Sequence, residues 1–193
     1  MRLFIALDFP DGVRRALREL IARLKPESAD ARWVRPEGMH VTLKFLGETG
    51  EDKLDSLKAA LSAIHSPAPV QMQFRGLGFF PSERCPRVIW CGVEATANLA
   101  ALAGAVESAL EPLSIPRETR AFTPHLTLAR FSSHEGLGTL VRAADNLKSY
   151  DFGSATESES HLVQSMLKPS GAEYKRLATF PFVQKEQSAE GAQ

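Results

Sequence analysis

The sequence predicts an α+β fold of two pseudo-symmetric lobes, each an antiparallel sheet with helices on its outer face, around a central cleft. Three observations predict it. Apolar residues switch repeatedly between the period of a strand and that of a one-sided helix. The order strand–helix–strand–helix–strands occurs twice, displaced by 85 residues. Each copy carries one His-x-Thr stretch, His40-Val41-Thr42-Leu43 and His125-Leu126-Thr127-Leu128. Two copies are too few for a solenoid and suit two lobes related by a pseudo-twofold axis. Residues 1–184 read as a single bilobal domain, and 185–193 as a polar, disordered tail.

Residues 2–9 read as a strand, closed by Pro10-Asp11-Gly12. Asp11 is a suitable N-cap for a helix over 13–24, whose Val13, Leu17, Leu20, Ile21 and Leu24 form one stripe. Pro26 ends it, and 26–31 is a polar connection. Residues 32–34 are extended, and Pro36-Glu37-Gly38 turns into the first His-x-Thr strand over 39–46. A helix over 51–64 carries Leu54, Leu57, Leu61 and Ile64. Strands are expected over 70–80, with breaks at Gly76 and Gly78, and over 87–93.

The pattern then restarts. An Ala/Leu-rich helix spans 97–110, and Pro112 and Pro116 break it. Residues 120–122 are extended, Thr123-Pro124 turns, and the second His-x-Thr strand spans 124–131. A helix over 137–147, one or two strands over 152–167, a turn at 168–171 and a last strand over 174–183 complete the chain. The displacement also takes Arg35 to Arg120, Leu17 to Leu102 and Ile21 to Val106.

In a strand alternate side chains share a face. His40 and Thr42 therefore point together, as do His125 and Thr127, while Val41, Leu43, Leu126 and Leu128 point into the core. A pseudo-twofold axis brings equivalent residues together, so His40 and His125 are expected to face each other across the cleft. An imidazole titrates near neutrality, so one of two can be neutral while the other is protonated. That pair is what acid–base chemistry on a phosphate needs, with in-line attack placing base and acid on opposite sides of phosphorus. The two threonine hydroxyls can donate to its non-bridging oxygens.

Composition narrows the classes of function. With 44% hydrophobic and 24% charged residues the chain is an ordinary globular protein. Its 23 basic and 23 acidic residues balance, so a broad electrostatic footprint on nucleic acid is not expected. No stretch has the length of a membrane span. The N-terminal apolar run is short and broken by Asp8, a strand and not a signal peptide, so a cytoplasmic protein is expected; the expected state is a monomer. Cys85 and Cys91 form no Cys-x-x-Cys, which argues against a disulfide framework and a structural zinc site. No metal-ligand motif or phosphate-cradling glycine loop is present, so neither metal nor cofactor is expected.

The other histidines carry less. His65 lies at a helix end, His134 in a polar loop, and His161 follows Ser158-Glu159-Ser160 with no evident partner. Arg130 stands where the first copy has Phe45. Strict alternation turns it away from His125, and a bulge or the strand's end would return it to the cleft, where a guanidinium suits a phosphate. Trp33, Phe45 and Tyr174 are candidates for stacking on a base. Core packing competes with that role, most strongly for Phe45.

The paired stretches resemble the two signature tetrapeptides of the 2H phosphoesterases. Arg2-Leu3-Phe4-Ile5-Ala6-Leu7, Phe122-Thr123-Pro124 before the second motif, Ser165-x-Leu167 and Gly171-Ala172-x-Tyr174-x-x-Leu177 resemble its RNA 2′,3′-cyclic phosphodiesterase branch, also called 2′-5′ RNA ligase. The similarity spans roughly the whole of residues 1–183. The resemblance implies metal-independent, cofactor-free hydrolysis of a 2′,3′-cyclic phosphate at an RNA 3′ end to a 2′-phosphate, with a reverse 2′-5′ ligase activity. It implies that His40 is the proton donor and His125 the proton acceptor; the internal symmetry alone leaves these roles open. Thr42, Thr127 and Arg130 would then hold the phosphate. Two other readings stand beside it. One is the same chemistry on a small cyclic nucleotide phosphate or a 2′-5′-linked oligonucleotide, and the other is a non-catalytic module that binds RNA ends.

Overall fold

Leu3, Ile5 and Leu7 alternate with Phe4 and Ala6 to form β1 (Arg2–Leu7), buried on both faces. The structure, a computed structural model, describes residues 1–27, 31–133, 136–168 and 171–183. The expected tail over 185–193 and the loop histidine His134 lie outside them. α1 (Asp11–Leu24) buries the predicted stripe of Val13, Leu17, Leu20, Ile21 and Leu24, each stabilising the fold by about 1.5–3 kcal/mol if fully removed from water. Pro10, not Asp11, takes the cap position, and no side chain caps the helix. Asp11 lies one residue inside, in the first turn, where a carboxylate faces the positive end of the helix dipole.

β2 (Ala31–Trp33) and a 3-10 turn at Pro36–Gly38 lead to β3 (Val41–Glu48). The helix expected over 51–64 is shorter: a 3-10 turn at Glu51–Lys53 precedes α2 (Leu54–Ser62). β4 (Val70–Phe80) and β5 (Val88–Ala95) form a hairpin, followed by α3 (Asn98–Leu110). Residues 120–122 join no strand. β6 (His125–Phe131), α4 (Gly138–Asp145), β7 (Asp151–Glu157), β8 (Glu159–Lys168) and β9 (Gly171–Pro181) complete the order. The segment over 152–167 is thus two strands.

The strands make two antiparallel sheets, ordered β3-β1-β8-β9 and β2-β6-β5-β4-β7. Their orders match under the internal repeat, because β3 and β1 correspond to β6 and β5. The lobes are not the two halves of the chain, however. β4 comes from the first half and pairs with β5 and β7, while β8 comes from the second half and pairs with β1. The helices cross as well. α1 follows β1 but packs on β7, and α3 follows β5 but packs on β3. Their apolar faces merge with the backs of both sheets into one core. Phe4, Ala6 and Val163 form a separate apolar patch on the other face of the first sheet.

One charged pair lies within the core side. Lys44 points from β3 to α3, where its Nζ donates to Glu107 Oε2 at 2.5 Å and to the Pro116 carbonyl at 2.8 Å. Its side chain is 2% exposed. Cys85 and Cys91 are both free.

Candidate active site

Each His-x-Thr strand is interrupted at the same place. Ile5 pairs with Lys44 and Ala6 with Thr42, so Leu43 is an extra residue in β3. Ile89 pairs with Ala129 and Trp90 with Thr127, so Leu128 is the extra residue in β6. Positions 43 and 128 are equivalent under the repeat. A bulge of this kind resets the alternation beyond it. Leu43 and Lys44 are consecutive buried residues, as are Leu128 and Ala129.

The reset decides two residues on which alternation pointed the other way. Arg130 returns to the face of His125 and Thr127. Phe45, its counterpart, returns to the face of Thr42 and lies beside Phe4, ring centroids 5.9 Å apart. Phe45 is 67% exposed and is not core. Trp33 is the opposite case. It pairs with Ala129, on the far side of β6 from Arg130, and packs against the core. It is therefore not placed to stack on a base at the Arg130 face; its neighbour Arg32, opposite Arg130 in register, shares that face.

The two histidines are held alike. His40 Nδ1 lies 2.9 Å from the Gly38 carbonyl, and His125 Nδ1 lies 2.7 Å from the Thr123 carbonyl. A carbonyl only accepts, so each Nδ1 carries the hydrogen, and in the neutral ring each Nε2 is left as an acceptor. Aromatic rings wall both. Phe4 and Tyr174 stand edge-on to His40 at 5.5 and 5.3 Å. Phe80 stands 5.0 Å from His125, with Trp90 at 6.4 Å. Tyr174 lies against Gly38, where a Cβ would come within 2.5 Å of its ring, so any larger residue there would have to displace the Tyr174 ring. Thr42 and Thr127 are half-buried, and among the described residues neither hydroxyl has a hydrogen-bond partner.

The strands β3 and β6 belong to different sheets yet approach each other, with Cα atoms within 8 Å. Arg130 is felt electrostatically at both His125 and Tyr174, and Tyr174 touches His40. Among the described residues Arg130 has no carboxylate partner. The two copies of the motif, Arg130 and Tyr174 thus lie along one junction between the sheets. Among the described residues no three His, Cys, Asp or Glu side chains gather as a metal-binding group.

Burial lowers both imidazole pKa values below the ordinary 6.5, but their neighbours differ. At His40 the Asp8 carboxylate and the Gly38 carbonyl oppose burial, while Arg14 and His161 add to it. At His125 the Thr123 carbonyl opposes burial and Arg130 adds to it. The surroundings of His40 include groups that sequence reading passed over. His161 is 2% exposed, with Nδ1 3.1 Å from Thr179 Oγ1. It does have partners. It lines a small cavity of about 160 Å³ together with His40, Asp8, Arg14, Tyr174 and Arg176. The register shows why: Thr42, Ala6, His161 and Thr179 lie side by side across β3, β1, β8 and β9.

Two antiparallel sheets thus meet along two bulged His-x-Thr strands, one from each copy of the repeat. Residues 7–90 match the model of the "LigT like Phosphoesterase" family, a span holding the first motif only. The chain is 36% identical to the RNA 2′,3′-cyclic phosphodiesterase of Archaeoglobus fulgidus over 181 residues, 93% of this chain and 99% of that one. It is also 36% identical to the enzyme of that name from Thermus thermophilus over 189 residues, 93% of this chain and 89% of that one. Among solved structures, TT0787 of Thermus thermophilus superimposes with a TM-score of 0.78 at 33% identity, covering 94% of this chain and 98% of that one. Escherichia coli LigT complexed with 3′-AMP gives 0.77 at 25% identity, covering 95% and 98%. The chain belongs to the LigT-like, or 2H, phosphoesterase family.

Proposed function

We propose that this protein hydrolyses a 2′,3′-cyclic phosphate at an RNA 3′ end to a 2′-phosphomonoester by acid–base catalysis between two histidines, without a metal. The observation that carries the reading is the matched anchoring of His40 and His125. Each imidazole is fixed through Nδ1 to the carbonyl two residues upstream, which leaves Nε2 for the reaction. The relatives named RNA 2′,3′-cyclic phosphodiesterase supply the substrate class. The complex of the Escherichia coli relative with 3′-AMP agrees with a nucleotide site.

The groups divide the work as follows. Neutral His125 takes a proton from water as the oxygen attacks phosphorus. Protonated His40 gives its Nε2 proton to the 3′ oxygen as the P–O3′ bond breaks. The product is a 2′-phosphate beside a free 3′ hydroxyl. Local charge favours this direction. The Asp8 carboxylate favours imidazolium at His40, whereas the Arg130 guanidinium favours the neutral ring at His125. Thr42 and Thr127 donate to the non-bridging oxygens, and Arg130 offsets the charge that grows on them. Phe45 and Tyr174, exposed on the His40 side, offer faces for a base. Solvent exchange restores the two protonation states.

The test is product analysis on an RNA oligonucleotide ending in a 2′,3′-cyclic phosphate, with chelator present throughout. The expected product is the 2′-phosphate, formed at an undiminished rate. Formation of a 3′-phosphate, or loss of activity with chelator, would refute the mechanism. Turnover confined to a mononucleotide cyclic phosphate or a 2′-5′-linked oligonucleotide would move the substrate assignment to those classes.

A further inference from the structure

We propose that Arg14 is a positioning residue for His40: its guanidinium clamps the turn that presents the imidazole, and Asp8 holds the guanidinium in place. This rests on the two-histidine reading above. Arg14 Nη1 donates to the Pro36 carbonyl at 2.8 Å and to the Met39 carbonyl at 3.2 Å. These carbonyls bracket Gly38, whose own carbonyl holds His40 Nδ1. The other arm, Nη2, donates to Asp8 Oδ1 in a short ion pair. Asp8 Oδ2 in turn accepts from Arg176 Nη2 at 2.8 Å. The Arg14 guanidinium lies 4.2 Å over the Phe9 ring, and its side chain is 12% exposed.

A planar fork with donors in fixed directions can hold two carbonyls and a carboxylate together, and an ammonium cannot reproduce that geometry. The device is one-sided. The position equivalent to Arg14 in the second half is Leu99, a buried core residue on α3. The turn before His125 is bridged instead by a hydroxyl contact from Thr123 Oγ1 to the Ala121 carbonyl at 3.5 Å. The repeat thus supplies two like histidines, and Arg14 with Asp8 makes their settings unlike. The charged and titratable groups around His40 are Asp8 at the end of β1, Arg14 on α1, Glu37 in the turn, His161 on β8, and Tyr174 and Arg176 on β9. Of these Arg14 alone bonds to the turn's backbone at Pro36 and Met39.

Arg14→Gln, Arg14→Lys and Asp8→Asn test this in the full chain. The readouts are steady-state kinetics on the cyclic-phosphate oligonucleotide and NMR titration of the His40 and His125 rings. Arg14→Gln should lower kcat about 100-fold, the cost of a misplaced catalytic group, with KM within about twofold. It should raise the His40 titration midpoint, because a cation is lost and the Asp8 carboxylate is freed. Asp8→Asn should lower that midpoint, and His125 should move in neither. Arg14→Lys should restore the midpoint but not kcat. Unchanged kcat in Arg14→Gln, full rescue by lysine, or equal movement of both histidines would overturn the proposal. Should Arg14→Gln not fold, Arg14→Lys and Asp8→Asn carry the same arms. A wild type without turnover would count against the cyclic-phosphate reading, while the NMR arms would still decide what Arg14 does to His40.

Discussion

His40 and His125 share a tautomer but not an electrostatic setting. Burial lowers both below the ordinary 6.5, which favours the neutral rings at neutral pH. The proposed mechanism needs His125 neutral and His40 protonated. kcat/KM should therefore be bell-shaped and peak on the acid side of 6.5, then fall through neutrality as His40 loses its proton. A rate that still climbs above neutrality would show that protonated His40 is not required. At this scale much of the candidate site was legible. His40, Thr42, His125 and Thr127 announce themselves by pattern and repetition. Arg14, Asp8 and His161 did not, because each reaches the site from an element distant in sequence, and nothing local marks a side chain that will bond to a carbonyl 22 or 25 residues away.

The element scale explains the residues that alternation assigned to the wrong face. A bulge has no reliable signature in a single strand, because it exists only relative to the partner strand. Arg130 and Phe45 therefore became legible once β1 and β5 were in register with β3 and β6. The same reset sends Lys44, two residues beyond Thr42, into the core side. There it ties β3 to α3 through Glu107. Lys44→Ala leaves that carboxylate without its cation in a poorly solvated place and should destabilise the fold by about 3–5 kcal/mol in urea denaturation. Replacing both partners, Lys44→Met with Glu107→Leu, should recover most of the loss. A Lys44→Ala cost under about 1 kcal/mol would mean that the pair behaves as a surface ion pair.

At the scale of the whole molecule, the 85-residue displacement correctly announced two related sheets. It could not announce the exchange between them. Periodicity identifies β4 and β8 as strands but does not say which sheet each joins, because pairing is settled by long-range contacts. β4 pairs with β5 and β7, and β8 pairs with β1. Each sheet therefore contains two strands from the other half, β8 and β9 in one and β2 and β4 in the other, and the junction where the two motifs approach is built by both halves of the chain. A phosphate group bound there would meet one motif from each sheet.

The central claim is that His40 and His125 act together on one phosphate. Its most direct measurement is kcat/KM for the cyclic-phosphate oligonucleotide in His40→Ala, His125→Ala and the double variant. Each single change should lower it by about 10²–10⁴-fold. The double variant should fall little further, because an acid and a base serving one step do not contribute independently. Near-normal turnover in either single variant, or a double loss equal to the product of the two single losses, would contradict a shared step.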